Sequence, residues 1–110
     1  MSLIVSSSGT TSAMSIGVET TLTTDNTNAF YTMVFDTTNM ALGDTVVARI
    51  YRVVLSGGPL VQAWEASFGP STQTNNVKIS PGLPSPWSLK CTLTQTAGTG
   101  RTFPWSLERI

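Results

Sequence analysis

The 110-residue chain contains no histidine and a single cysteine, Cys91. Without histidine, the Ser-His and Cys-His nucleophile–base pairs and histidine-based metal sites are excluded. One cysteine excludes an internal disulfide and a multi-thiol metal site. We therefore predict no catalytic residue, no metal ligand and no cofactor, and we expect that the protein is not an enzyme. Cys91 lies on the apolar side of its segment, which favours a role as a small core hydrophobe.

Charge is also scarce, and it is unevenly placed. Only 11% of the residues are charged, against about 25% in an average globular chain. Residues 1–48 hold four acidic residues and no Lys or Arg (−4), whereas residues 49–110 hold all six cations and two glutamates (+4). Neither part forms the basic stripe that phosphate binding needs, so no nucleic-acid partner is predicted. Two interpretations stay open: scattered solvating charge, or complementary patches that attract neighbouring copies.

Long hydrophobic runs are absent as well. No segment approaches the ~20 apolar residues of a membrane-spanning helix, so no membrane partner is predicted. The first six residues carry no positive charge and no long apolar stretch, which argues against a secretory signal.

What the chain does contain is a series of short segments of alternating polarity, separated by turn residues roughly every 8–12 positions. This pattern predicts an all-β antiparallel β-sandwich of about seven or eight strands, with a jelly roll as one arrangement. One helical turn is expected at residues 37–42, and a polar loop at residues 69–76. We predict an extended N-terminal arm at residues 1–15, which either frays or orders on a neighbouring subunit, and a single β-sandwich domain at residues 16–110.

Three segments have specific expectations. Residues 30–35 are apolar on both faces apart from Thr32, which predicts a central strand covered on both sides or one face that meets a partner. Residues 45–56 change their apolar phase midway, as a bulge or a sandwich corner requires, and form a hairpin with residues 60–68. Three prolines in residues 81–86 forbid regular pairing there.

The tetrapeptide Pro-Trp-Ser-Leu occurs at residues 86–89 and again at residues 104–107, on either side of Gly98-Thr99-Gly100. Apolar residues occupy the odd positions of both arms, which predicts a closing hairpin with the odd positions inward and a loop of either three or five residues. All three tryptophans fall on the apolar side of their segments, which favours core burial; an exposed sugar-stacking platform and a subunit contact are the alternatives.

Residues 34–38, Val-Phe-Asp-Thr-Thr, resemble the active-site signature of retroviral-type aspartic proteases. The match fails at Thr38, where that family has a glycine whose conformational freedom the active-site loop uses. We therefore interpret Asp36 as a structural residue that opens a turn.

A second resemblance is carried chiefly by residues 93–105, Leu-Thr-Gln-Thr-Ala-Gly-Thr-Gly-Arg-Thr-Phe-Pro-Trp, and more weakly by residues 18–21, 36–44 and 49–51. In these stretches the chain resembles small β-rich structural proteins of tailed bacteriophages. The resemblance implies a virion component, in the first place a capsid cement or decoration protein located on the capsid. It implies no site residues.

The expected partner is accordingly the major capsid protein or another virion protein, and we expect a homo-oligomer, for which a trimer is one form. Arg101, Lys78 and Lys90 either face an acidic capsid surface or simply solvate the fold. The alternatives are another virion part, such as a tail, neck or fibre component, and a carbohydrate-binding β-sandwich module with an exposed tryptophan. The candidate partner-binding residues lie in the arm, on the doubly apolar strand and in the predicted closing turn: Leu3, Ile4, Val5, Met14, Tyr31 and Arg101.

Overall fold

The structure is a computed structural model that describes residues 3–69 and 75–110. Within these residues the chain forms nine β-strands and no helix, which confirms the all-β prediction. Most of the polar loop predicted at residues 69–76 lies outside the described residues. In chain order the strands are β1 (Ile4–Thr10), β2 (Thr20–Asp25), β3 (Ala29–Asp36), β4 (Thr45–Val53), β5 (Leu60–Phe68), β6 (Val77–Ile79), β7 (Leu83–Ser85), β8 (Leu89–Ala97) and β9 (Pro104–Arg109).

The strands form two antiparallel sheets around a common core, as the sandwich prediction requires. Sheet 1 has the order β1-β9-β3-β6, with β7 also paired to β3, and sheet 2 has the order β2-β8-β4-β5. Since β6 and β7 pair with successive stretches of β3, they act as one interrupted strand. Counted in this way, the two strand orders are those of two interlocked Greek keys, which is the connectivity of a jelly roll.

Alternate residues of the inner strands build the core. In β3, the side chains of Tyr31, Met33 and Phe35 point inward and are almost fully buried. Opposite them lies Cys91 of β8, which is a buried core residue as predicted. Burial raises the pKa of the Cys91 thiol to about 12, so this cysteine is protonated at neutral pH.

Two of the specific strand predictions are confirmed. β3 lies between β9 on one side and β6 with β7 on the other, so its central position is confirmed, but its outer side is not covered, since Phe30 is 53% exposed. β4 and β5 form the predicted hairpin. Their register shifts between Ile50 and Tyr51, where the apolar phase changes, as a β-bulge does.

The predicted closing hairpin is wrong. β8 pairs with β2 and β4 in sheet 2, whereas β9 pairs with β1 and β3 in sheet 1, so residues 98–103 carry the chain across the sandwich. The alternating pattern identified the inward side of each strand correctly but not the strand's partners, because both sheets face the same core. The odd-numbered residues that are buried as expected are Leu89, Cys91, Leu93, Phe103 and Leu107.

Three further expectations need correction. Residues 4–10 of the predicted arm form β1 and pair with β9 of the same chain, because the backbone of β9 offers a free edge there. The predicted helical turn is two successive turns, closed by hydrogen bonds from Met40 N to Thr37 O (3.0 Å) and from Asp44 N to Ala41 O (3.0 Å). The proline-rich segment contains the short strand β7, which tolerates Pro84 because it lies at a sheet edge.

Candidate docking surface

The outer side of sheet 1 exposes a group of large apolar side chains. β3 alternates strictly, so that Phe30 and Val34 point away from the core. The side chains of paired residues share a side, which places residues of β1, β9 and β6 on the same surface. We define the apolar face as six side chains on this surface, each between 48% and 67% exposed: Leu3, Val5, Phe30, Val77, Ile79 and Ile110.

Strand pairing makes this surface continuous across the sheet. In one row, Ser106 of β9 is paired with Val34 of β3, which is paired with Ile79 of β6. In the next row, Glu108 lies between Val5 and Thr32. A third row contains Phe30, which is paired with Pro84, and Ile110, whose N–H donates to the Phe30 carbonyl at 3.0 Å.

Two shallow depressions lie on this surface. The larger has a volume of about 220 Å³ and is lined by Val34, Asp36, Val77, Pro104, Trp105 and Ser106. The smaller has a volume of about 80 Å³ and is lined by Leu3, Phe30, Thr32, Gly82, Glu108 and Ile110. The surface is therefore dimpled as well as apolar.

Among the described residues, the two charged side chains on this surface are both negative. Glu108 lies in the middle row and accepts a hydrogen bond from Ser106 Oγ at 2.9 Å. Asp36 lies at the rim of the larger depression, where its Oδ1 accepts hydrogen bonds from the side chain and N–H of Thr38, which lower its pKa. This confirms Asp36 as a turn-opening residue. Among the described residues, no Lys or Arg occupies an outward position of the sheet 1 strands.

The outer side of sheet 2 is different, because its charged groups bind one another. Arg49 Nε lies 2.6 Å from Glu65 Oε1, and Glu19 accepts hydrogen bonds from Thr92 Oγ1 (2.6 Å) and Tyr51 OH (2.5 Å). These two hydrogen bonds hold the pKa of Glu19 below its usual value. Thr92 is completely buried beneath this network. The charged groups of this surface thus form a polar network that is bonded within the chain.

At one end of the sandwich, a buried carboxylate ties two loops together. Asp44 is 2% exposed and accepts hydrogen bonds from the N–H groups of Ala41 (2.8 Å) and Thr99 (3.1 Å) and from Arg101 Nε (2.7 Å). These contacts lower the pKa of Asp44, with the Ala41 N–H contributing most. Buried Gln95 braces the same loop, since its side chain donates to Thr99 O and accepts from Arg101 N. The arrangement is a structural hydrogen-bond network that fixes the two loops to each other.

Of the predicted partner-binding residues, the three at the N-terminus are exposed. Leu3 and Val5 belong to the apolar face. Ile4 is also exposed, but it is paired with Arg109 and therefore points to the other side of β1.

The other three predicted residues are used inside the fold. Met14 and Tyr31 are core residues, and Tyr31, at 1% exposure, offers a partner almost no surface. The Tyr31 hydroxyl donates to the Thr27 carbonyl, and burial together with nearby Asp25 raises its pKa to about 12. Arg101 is held by Asp44. Apolar or basic character alone does not distinguish a core residue, or one held in an internal ion pair, from a residue of a binding surface.

The two lysines that were grouped with Arg101 also have intramolecular contacts. Lys78 points inward, donates to the Asn75 carbonyl and lies 5.7 Å from the centroid of the Phe68 ring. Lys90 lies 4.6 Å from the centroid of the Tyr51 ring.

Sequence reasoning missed half of the apolar face, namely Val77, Ile79 and Ile110. The doubly apolar strand at residues 30–35 did signal an outward apolar side, and Phe30 is on it. Val77 and Ile79 gave a misleading signal, because the alternation Val-Lys-Ile predicts aliphatic side chains inward and a lysine outward. The structure has the reverse.

The three tryptophans differ in their burial. Trp64 and Trp105 are partly buried against the core, in line with the prediction. Trp87, in the connection between β7 and β8, is 37% exposed, so the prediction of core burial is wrong for this residue. Its position before the first residue of β8 leaves it outside the packed part of the strand.

Within residues 3–69 and 75–110, no group of three or more His, Cys, Asp and Glu side chains is arranged to hold a metal ion. The same residues include no helix long and apolar enough to cross a membrane. Comparison with known proteins finds no match to a family model, a curated protein or a solved structure.

Proposed function

We propose that this protein is a non-enzymatic structural subunit of a virion, a capsid cement or decoration protein that binds the shell of the major capsid protein through the apolar face and stabilises it. The observation that carries the proposal is the exposure of six large apolar side chains on one side of sheet 1. Together they form an apolar patch of the kind that serves as an interaction site on soluble proteins.

The difference between the two outer sides supports one-sided docking. The sheet 2 side has its carboxylates and cations satisfied within the chain, so it gains little from a partner and suits contact with water. The sheet 1 side gains free energy when its apolar groups are covered. A decoration protein needs this difference between its two sides, because one side contacts the shell and the other faces solvent. The resemblance to structural proteins of tailed phages favours a virion as the setting.

The test compares two double variants that each replace two exposed aliphatic side chains by aspartate. Val77→Asp/Ile79→Asp changes the apolar face, whereas Val54→Asp/Leu55→Asp changes the tip of the β4–β5 hairpin. All four side chains are more than half exposed, so both variants are expected to fold.

Shells of the parent particle prepared without this protein are incubated with each variant and sedimented. We expect the face variant to bind at least tenfold more weakly than wild type, because two charges would be buried without partners. We expect the hairpin variant to bind as wild type does. Wild-type binding should also raise the temperature at which the shells disassemble. Equal binding by both variants, or shells equally stable with and without the protein, would refute the proposal, and binding to isolated tails instead would reassign the protein to another virion part.

A carbohydrate-binding module is the second candidate, and the observation that favours it is the exposure of Trp87. A sugar that stacks on this indole would change its fluorescence. Titration with neutral oligosaccharides that quenched wild type but not a Trp87→Phe variant would support this candidate over the virion role.

A further inference from the structure

The smaller depression on the apolar face has aliphatic and aromatic walls and a carboxylate beside it. Leu3 and Ile110 contribute aliphatic surface, Phe30, which is 53% exposed, contributes its aromatic ring, and Glu108 contributes the aliphatic part of its side chain, while its carboxylate is bonded to Ser106 Oγ beside the depression. Gly82 braces the ring, since a Cβ at this position would come within 3.4 Å of two Phe30 ring carbons.

We propose that this depression is a socket for one basic side chain, arginine or lysine, that projects from the protein docked on the apolar face; the inference rests on the proposed function. Both side chains carry an apolar stem and a charged end. The stem covers Leu3 and Ile110, while the cation binds the Glu108 carboxylate and lies against the Phe30 ring. The volume of about 80 Å³ admits such a stem but not a helix or a strand.

The need for a cation follows from the position of Glu108. Its row lies inside the apolar face, between Val5 on β1 and Thr32 on β3, so a partner that covers the face also covers this carboxylate. Burying a carboxylate without a compensating charge costs several kcal/mol. Among the described residues, Glu108 forms no ion pair, and Ser106 Oγ is its side-chain hydrogen-bond donor.

The same reasoning argues against a second copy of this chain as the occupant. The apolar face carries Glu108 and, at its rim, Asp36, with no cation among its described outward residues. Two such faces pressed together would bring carboxylates of like charge into one apolar interface, which is unfavourable. The partner is therefore a different protein surface, apolar and with at least one basic side chain.

The socket is tested with the capped tripeptide acetyl-Leu-Arg-Leu-amide and its counterpart with citrulline in place of arginine. Citrulline has nearly the same shape as arginine but no charge. In an amide ¹H–¹⁵N titration of the wild-type protein, we expect the arginine peptide to shift resonances of residues 3, 30, 82 and 108–110, with saturation in the millimolar range. We expect the citrulline peptide to bind at least fivefold more weakly.

Glu108→Gln should remove the preference for arginine, whereas the matched variant Glu65→Gln on the sheet 2 side should keep it. Equal binding of the two peptides, a preference that survives Glu108→Gln, or no binding at all would overturn the socket. Shell sedimentation separates this failure from that of the docking proposal. If Val77→Asp/Ile79→Asp loses the shell but Glu108→Gln binds as wild type, the socket fails and the docking surface stands; if neither variant changes shell binding, both fail.

Discussion

Asp44 holds together two loops that are more than fifty residues apart in the chain, so its replacement should destabilise the fold. Asp44→Asn loses the ion pair with Arg101 and places an amide NH₂ among donors that need an acceptor. We expect the free energy of unfolding to fall by about 2–3 kcal/mol. Urea denaturation measures this value. The matched variant Asp36→Asn, whose carboxylate is bonded to Thr38 at an exposed turn, should cost less than about 1 kcal/mol, and equal losses would contradict the structural role of Asp44.

The same carboxylate predicts how stability depends on pH. The pKa of Asp44 is lower in the folded protein than its usual value of about 3.9, so the unfolded chain takes up the proton first as pH falls. The contribution of Asp44 is therefore fully present above about pH 4 and is lost as pH falls through the folded pKa. Urea unfolding between pH 6 and pH 2 should show a shallower decline for Asp44→Asn than for wild type. Parallel curves would show that Asp44 does not contribute to the pH dependence of stability. Part of the decline with falling pH remains in both proteins, because hydrogen bonds also lower the pKa of Glu19.

Substitution of two glycines with positive φ distinguishes the cost of backbone strain from the cost of a steric clash. Gly17 and Gly98 both have positive φ, 82° and 92°, which is costly for any residue with a Cβ. A Cβ at Gly17 meets nothing within 4 Å, whereas at Gly98 it would overlap the Asp44 carboxylate and lie 2.8 Å from Asp44 Cα. We expect Gly17→Ala to cost about 1 kcal/mol from strain alone and Gly98→Ala at least about 3 kcal/mol, as measured by urea unfolding. Equal costs would show that the loop moves aside.

Among the strands, the sequence pattern predicted correctly the pairing of strands that are close neighbours in the chain. The β4–β5 hairpin is closed by Gly57-Gly58-Pro59, and its partners are close neighbours in sequence. The two Pro-Trp-Ser-Leu segments looked equally local, but β9 lies between β1 and β3, far away in the chain. The alternating pattern reports which side of a strand is apolar; it carries no information on which of two sheets receives the strand.

The docking surface was harder to predict than the core, and β6 shows why. An isolated Val-Lys-Ile segment favours buried aliphatic side chains, since burying a lysine normally costs free energy. Here the Lys78 ammonium donates to the Asn75 carbonyl and lies near the Phe68 ring. These two contacts offset the free-energy cost of placing the ammonium on the inner side of the sheet. These contacts depend on β5 and on the loop before β6, so Val77 and Ile79 could not be assigned to the outside from their own segment.

Across the whole molecule, the uneven charge of the sequence has a structural explanation. In the described chain, three of the four ion pairs join an acidic residue from positions 1–48 to a cation from positions 49–110: Glu19 to Arg49, Asp44 to Arg101 and Asp25 to Arg109. The fourth, Arg49 to Glu65, lies within the second part. The two parts attract each other inside one fold, which accounts for much of the charge that would otherwise form complementary patches for neighbouring copies.

This pairing predicts that salt destabilises the protein. Because the formal net charge is zero, there is little overall repulsion for salt to relieve, and added ions chiefly screen the attractive pairs. Exposed pairs contribute about 0.2–1 kcal/mol each, so we expect roughly 1 kcal/mol to be lost between 20 mM and 500 mM NaCl, seen as a fall of about 5 °C in Tm. Arg49→Gln removes the cation that contacts both Glu19 and Glu65, and it should reduce this salt response. A Tm that rises with salt in wild type, or a response unchanged in Arg49→Gln, would show that these pairs do not hold the two parts of the chain together.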